Sequence, residues 1–286
     1  MRSDLRFVLS LLGLGALGVA AALLLPGWLT ATGPDERPRS MMGSGFVNHW
    51  QDVAPQTWWW SSWLDLRVDL PAKTNIVIWN HGTQAMGAAP SCMGESYFPP
   101  PAIMRLERIA HTRIYYLCTK ADQLNGPQAY FEARRDEILA LVARFRAEGV
   151  PTERIFLAGQ SGGAASAALA LAAEPEAIGG AMLFALAWQG PGEGLRRGNV
   201  VPEAHDAYIA RTLVEAENFE ALLVAFENDA WNRPEDLAFL TSAHPLRLKT
   251  FVPGCGADHG GAFTGCAVEA VAEAVALWFE KRLPGG

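Results

Sequence analysis

Lysine is scarce in this chain of 286 residues: only four of its 23 basic residues are Lys, and no block of Lys or Arg occurs anywhere. Against 30 acidic residues this leaves a formal charge of −7. Nucleic-acid binding needs a basic face, so that class of partner is excluded. Cysteine is also sparse. Cys92, Cys118, Cys255 and Cys266 form neither a CxxC nor a Cys/His cluster at zinc-ligand spacing, so no metal and no other cofactor is expected. Internal repeats and low-complexity tracts are absent. What is abundant excludes disorder: 50% of residues are hydrophobic and 10% aromatic, enough for a full core. Length alone allows two domains, although a single α/β domain often takes about 200–250 residues.

The apolar residues are unevenly spread. Arg2 and Arg6 precede an apolar run, Phe7 to Leu25, closed by Pro26-Gly27. Such a run can cross a bilayer as a helix, and the charges before it match an N-in orientation. Secretory signals have shorter apolar regions, about 7–15 residues, and a small-x-small cleavage site. Ala20-Ala21-Ala22 and Leu29-Thr30-Ala31 are imperfect candidates. Cleaved signal and uncleaved anchor are therefore both open, with a buried core helix as the third reading. Either export reading places residues 40–286 in the periplasm or outside the cell, with membrane contact only through an uncleaved N-terminal segment. The expected division is 1–31 export segment, 32–57 linker and lead-in, and 58–286 folded domain. Gly13-Leu14-Gly15-Ala16-Leu17-Gly18 matches a dinucleotide-binding pattern, but it lies inside the export segment with no strand before it.

Within the folded part, Leu64 to Leu70 alternates apolar and charged residues, as a half-buried strand does. A short turn leads to the apolar run Asn75 to Asn80, so these two are expected to form an antiparallel N-terminal hairpin. Strands and helices then alternate. Strands are expected at Arg113–Cys118, Arg154–Ala158, Gly180–Trp188, Ala221–Phe226 and Leu246–Val252. Helices are expected at Gln128–Glu148, Ala164–Ala173 and Val268–Arg282. Continuous apolar strands alternating with helices imply a mostly parallel, doubly wound sheet covered on both faces. The widest gap, Gly190 to Glu220, leaves no room for a large lid.

The most informative segment is Gly159-Gln160-Ser161-Gly162-Gly163, directly after an apolar strand and before a helix. A nucleophile on so sharp a turn needs small residues two before and two after it, where side chains would collide. The Gly162 N–H, at the positive end of the following helix, can face an oxyanion. A serine hydroxyl also needs a base, and the base needs an acid to orient it. His259 follows the last strand in a loop of small residues at the same sheet edge as Ser161. Asp229 follows the preceding strand; Glu227 and Asp258 are the alternatives for the acid. The loop His81-Gly82-Thr83 after an early strand supplies a second oxyanion donor, the Thr83 N–H.

On these residues the sequence, from about Leu64 to Leu283, resembles the α/β-hydrolase superfamily, and within it lid-free esterases similar to dienelactone hydrolases and secreted polyester or feruloyl esterases. The resemblance implies an α/β-hydrolase fold with eight strands, a Ser161–Asp229–His259 triad and no cofactor. Two departures stand out: seven strands are legible, and the acid loop lacks the Gly often found three residues before the acid. The expected activity is hydrolysis of a small-molecule or polymeric carboxylic ester by an exported serine esterase. A serine peptidase or acyltransferase on the same triad is the alternative, and a non-catalytic surface-binding protein is the second. Trp60, in the tract Trp58 to Trp63, and Trp188 and Trp231, each after a strand, are expected to line the substrate site, or else to cover the sheet edge. Disulfides are expected between Cys255 and Cys266, which bracket His259, and between Cys92 and Cys118.

Overall fold

The computed structural model describes residues 45–46, 68–83, 98–119, 121, 126–188 and 203–284. The expected export segment, most of the expected linker and the tract Trp58 to Trp63, including Trp60, lie outside the described residues. Among the described residues no helix is long and apolar enough to cross a membrane.

Among the described residues seven strands form one sheet: β1 Gly45–Phe46, β2 Asn75–Asn80, β3 Thr112–Leu117, β4 Ile155–Gln160, β5 Gly180–Phe184, β6 Ala221–Val224 and β7 Leu248–Phe251. Their order is β1-β3-β2-β4-β5-β6-β7. Every pair is parallel except β1 and β3, which run antiparallel. The longer helices are α1 Pro101–Met104, continued by a 3-10 turn, α2 Pro127–Ala147, α3 Gly162–Ala173, α4 Glu203–Glu215, α5 Ala238–Ala243 and α6 Val268–Glu280.

The continuous apolar strands divide their side chains with period two between two cores. Ile76, Ile78, Tyr115, Ile155, Leu157 and Leu183 face one core, closed by α2, α3 and α4. Their neighbours Val77, Trp79, Tyr116, Phe156, Ala158 and Met182 face the other, closed by α1 and α6. The doubly wound α/β sheet is thus as expected.

The antiparallel N-terminal element is also present, with a different partner. Both sides of β2 are occupied, by β3 and by β4, so no hairpin strand can lie beside it. The antiparallel strand is β1, inside the stretch expected as lead-in, with Gly45 opposite Tyr116 and Phe46 opposite Tyr115. Phe46 packs edge-on against Tyr115, ring centroids 5.2 Å apart. Of the alternating run Leu64 to Leu70, the described end Val68 to Leu70 is a bend entering a 3-10 turn at Pro71–Lys73.

Cys255 and Cys266 are joined by a disulfide, Cα atoms 6.3 Å apart. Cys118 is disulfide-bonded as well; Cys92, its expected partner, lies outside the described residues.

Candidate active site

In a parallel sheet the loops after the strands gather at one edge, and all the candidate groups come from there. Ser161 separates β4 from α3 with φ 57° and ψ −125°. That region is sparsely populated for a side-chain-bearing residue and costs on the order of 1–3 kcal/mol, so the surroundings must impose it. The Ser161 N–H donates to Phe184 O at 3.0 Å, and Ala165 N–H donates to Ser161 O at 3.1 Å. The flanking glycines explain the rest. A Cβ on Gly159 would lie 2.5 Å from the Gly163 carbonyl and 2.7 Å from Ala164 N. A Cβ on Gly163 would collide with the Asn80 and His81 carbonyls, and one on Gly162 with the Thr83 side chain. Gly162 opens α3, so its N–H is a first-turn donor without an intrahelical acceptor, at the positive end of the helix.

Asp229 is 2% exposed and His259 partly buried. Both Asp229 carboxylate oxygens approach His259 Nδ1, at 2.9 and 2.8 Å. A carboxylate only accepts, so Nδ1 carries the proton and Nε2 is left as the acceptor in the neutral ring. Asp229 Oδ1 also accepts the Trp231 backbone N–H at 2.8 Å. The acid loop is tied to the histidine loop twice: Asn228 N–H donates to Ala257 O at 3.0 Å, and Asn228 Nδ2 to Gly256 O at 2.8 Å. Gln160 Nε2 donates to His259 O at 3.4 Å, which lays the histidine loop against the turn that carries Ser161. Glu227, the alternative acid, makes no such pair: its two carboxylate oxygens are buried without a hydrogen-bond partner. Asp258 Oδ1 instead accepts the Gly260 N–H at 2.9 Å.

The loop after β2 is held from inside. His81 is fully buried, and its Nδ1 lies 2.7 Å from Gly82 O. Burial, reinforced by the Arg134 charge, lowers the His81 pKa to about 3. Arg134 of α2 donates from Nη2 to His81 O at 2.6 Å and from Nη1 to the Tyr130 hydroxyl at 3.0 Å. Gly82 packs against Ser161, where a Cβ on it would be 3.6 Å from the serine Cβ.

Of the expected substrate-site tryptophans, Trp231 stands at the site, its ring centroid 5.4 Å from that of His259. Trp188 corrects the expectation. It is 3% exposed, packs in the core on the α2–α4 face, and donates its indole N–H to Asp206 of α4 at 2.6 Å. Its carbonyl faces His205 Nε2 at 3.0 Å. The chain turns inward after β5, so a tryptophan following that strand covers core rather than substrate. Two side chains at the site, Gln160 and Arg134, belong to no motif that assigns them a role. A signal existed for Arg134: it interrupts the buried stripe Tyr130, Ile138, Leu141 at a spacing of four from Tyr130 and from Ile138.

Neither a protein-family model nor a curated protein sequence matches the chain. Solved structures do match. Est1E from Butyrivibrio proteoclasticus, in a structure with ferulic acid bound, aligns with a TM-score of 0.54 and 20% identity, over 77% of this chain and 93% of its own. A hyperthermophilic esterase from the archaeon Pyrobaculum calidifontis aligns at TM-score 0.52 and 16% identity, over 76% and 80%. Dipeptidyl peptidase 4 of Porphyromonas gingivalis aligns at TM-score 0.54 and 10% identity, over 74% of this chain and 32% of its own. At these identities the likeness is one of architecture, and the architecture shared is the α/β-hydrolase fold.

Proposed function

We propose that the chain is an exported serine hydrolase of carboxylic esters, with Ser161 as nucleophile, His259 as base and Asp229 as the acid that orients it. The observation that carries this reading is the buried Asp229 carboxylate set on His259 Nδ1 at 2.9 and 2.8 Å, in a loop that lies against the Ser161 turn. A histidine held this way keeps Nε2 free to accept a proton. The fold shared with known esterases supports the same reading. The short loop between β6 and Asp229 and the cysteine-bracketed histidine loop supply the reach each side chain needs.

His259 Nε2 takes the Ser161 hydroxyl proton as Oγ attacks the ester carbonyl carbon. The carbonyl oxygen becomes an oxyanion held by the Gly162 and Thr83 N–H groups. The imidazolium, stabilised by Asp229, returns the proton to the departing alkoxide as the C–O bond breaks, leaving an acyl-enzyme and a free alcohol. Water, deprotonated by His259, then attacks the acyl carbon; the carboxylic acid leaves and Ser161 regains its proton. The role of Trp231 in this reading is to wall the site beside the base, and an apolar or aromatic acyl group suits an indole there.

Two measurements test the proposal together. Purified protein is expected to hydrolyse short p-nitrophenyl esters, and a fluorophosphonate is expected to label Ser161. Ser161→Ala should abolish both. Absence of turnover and of labelling in the wild type would sink the reading. Hydrolysis confined to amides, or acyl transfer to added alcohols in preference to water, would replace it by the peptidase or acyltransferase alternative.

A further inference from the structure

We propose that Arg134 is a positioning residue for the oxyanion-binding loop: its guanidinium holds the His81 carbonyl so that the loop presents the Thr83 N–H to the oxygen of a substrate bound at Ser161. The inference rests on the hydrolase reading and extends it to a helix with no other part in the site.

The geometry of two consecutive peptides carries the argument. Arg134 Nη2 donates to His81 O at 2.6 Å, fixing the peptide whose N–H belongs to Gly82. The His81 imidazole lies 2.7 Å from Gly82 O, fixing the peptide whose N–H belongs to Thr83. A carbonyl only accepts, so Nδ1 of His81 is the protonated nitrogen. No described peptide bond is cis, and across a trans peptide the N–H points away from the C=O. With the Gly82 carbonyl drawn to His81, the Thr83 N–H is turned the other way, and Thr83 packs against Gly162, where an added Cβ would lie 3.4 Å from Thr83 N. The His81 carbonyl has no freedom on its other flank, because Gly163 presses on it so closely that a Cβ there would collide. The guanidinium thus closes a clamp between α2, the loop after β2 and the first turn of α3.

Arginine is a costly residue for this position. Arg134 is 2% exposed, and its partners are a hydroxyl and a carbonyl rather than a carboxylate. The stripe around it, Tyr130, Ile138 and Leu141, is otherwise apolar, and an apolar side chain of equal length would pack there at less cost. A forked donor is needed only if two oxygens must be held at once, and Nη1 on Tyr130 with Nη2 on His81 does so.

The test is Arg134→Met in the full chain, read by ester hydrolysis, by thermal unfolding and by the affinity of a trifluoromethyl ketone, which forms a tetrahedral oxyanion on the serine. The expected result is a kcat lower by about 10- to 100-fold, less than the ~10²–10³ of deleting a direct oxyanion donor. KM should stay within about threefold, with a loss of inhibitor affinity that parallels kcat/KM and an unfolding temperature equal to or above that of the wild type. Wild-type kcat in the variant, or a loss that falls on KM alone, overturns the proposal. Should Arg134→Met fail to fold, Tyr130→Phe keeps the ring and removes the hydroxyl that anchors Nη1. It is expected to lower kcat about twofold to tenfold at constant KM, and unchanged kcat overturns the proposal. Failure of the hydrolase reading shows separately, as a wild type that neither turns over esters nor labels. In that event the amide resonances of Gly82 and Thr83 still decide the positioning role: shifted or doubled signals in Arg134→Met support it, and identical ones refute it.

Discussion

The Trp231 indole lies over the His259 imidazole, ring centroids 5.4 Å apart and planes tilted by 30°, while the Trp231 backbone N–H holds the carboxylate that faces that imidazole. One residue therefore borders both members of the Asp229–His259 pair. An aromatic face beside a ring that becomes positively charged stabilises the charged form, by roughly 0.5–1 kcal/mol at a partly exposed site. Trp231→Ala, which keeps the backbone hydrogen bond, is expected to lower kcat/KM about two- to fivefold through kcat, and Trp231→Phe to recover most of it. A loss confined to KM would instead make Trp231 a substrate contact alone.

Asp229 and Glu227 stand two residues apart on one loop, with opposite surroundings. Asp229→Asn replaces an acceptor with an amide that can donate, favouring the wrong tautomer of His259, and should lower kcat by about 10⁴-fold without unfolding the protein. Glu227→Gln should leave kcat within about twofold. Steady-state kinetics and urea unfolding on both variants check this. The reverse pattern, with Glu227→Gln inactive, would make Glu227 the acid.

The elements that could be read from the sequence are those whose local pattern agrees with their tertiary role. Strands β2, β4, β5 and β6 are short apolar runs, and a central parallel strand buried on both faces demands that composition. The turn around Ser161 is legible because its glycines are imposed by backbone contacts, between Gly159 and Gly163 and between Gly163 and the Asn80 and His81 carbonyls. That Asp229 and His259 can meet follows from the strands they succeed, and the turn at Asn228-Asp229 sets Asp229 apart from Glu227. The misplaced hairpin has the opposite cause. Two residues, Gly45–Phe46, are too few to show periodicity, and what fixes them is the register on Tyr115 and Tyr116. Trp188 could not be separated from Trp231, since each follows a strand; what divides them is the Asp206 carboxylate on α4, which receives only the Trp188 indole. Strand β7 is shorter than expected because Leu246, at its approach, is 86% exposed and outside the sheet.

The buried His81 should make the protein sensitive to acid. Its pKa is about 6.5 in an unfolded chain and is lowered to about 3 in the folded one, by burial and then by the Arg134 charge that faces it. Above pH ~6.5 both states hold it neutral and it adds no pH dependence. Below that, the unfolded chain takes up a proton that the folded one refuses, so stability falls by about 1.4 kcal/mol per pH unit until the folded pKa is reached. His81→Asn cannot protonate, and its amide NH₂ can replace Nδ1 as donor to Gly82 O. Between pH 7 and 4.5 the wild type is expected to lose about 2–3 kcal/mol more than this variant in urea unfolding. Parallel stability curves would show that His81 does not remain neutral in the fold.

The Cys255–Cys266 disulfide closes the loop that carries His259, and both cysteines lie at the surface. Closing so short a loop constrains the unfolded chain by ~3 kcal/mol or less, which bounds the stability at stake. Its effect on activity should be larger in proportion, because the polar contacts that tie the loop to its neighbours cluster around His259 and leave its cysteine-bracketed ends to the disulfide: Asp229 on His259, Asn228 on Ala257 and Gly256, and Gln160 on the His259 carbonyl. Small displacements of a base cost more than their energy in stability suggests, since the reacting geometry tolerates little error. Cys255→Ala combined with Cys266→Ala, which leaves the Cys118 disulfide untouched, is expected to lower the unfolding free energy by about 2–3 kcal/mol. It should also lower kcat by about tenfold at 25 °C, where the protein is still folded. Adding a reductant to the wild type should reproduce the kcat loss, and adding it to the double variant should change kcat no further. A double variant with wild-type kcat and a lowered unfolding temperature would restrict the bond to stabilising the fold.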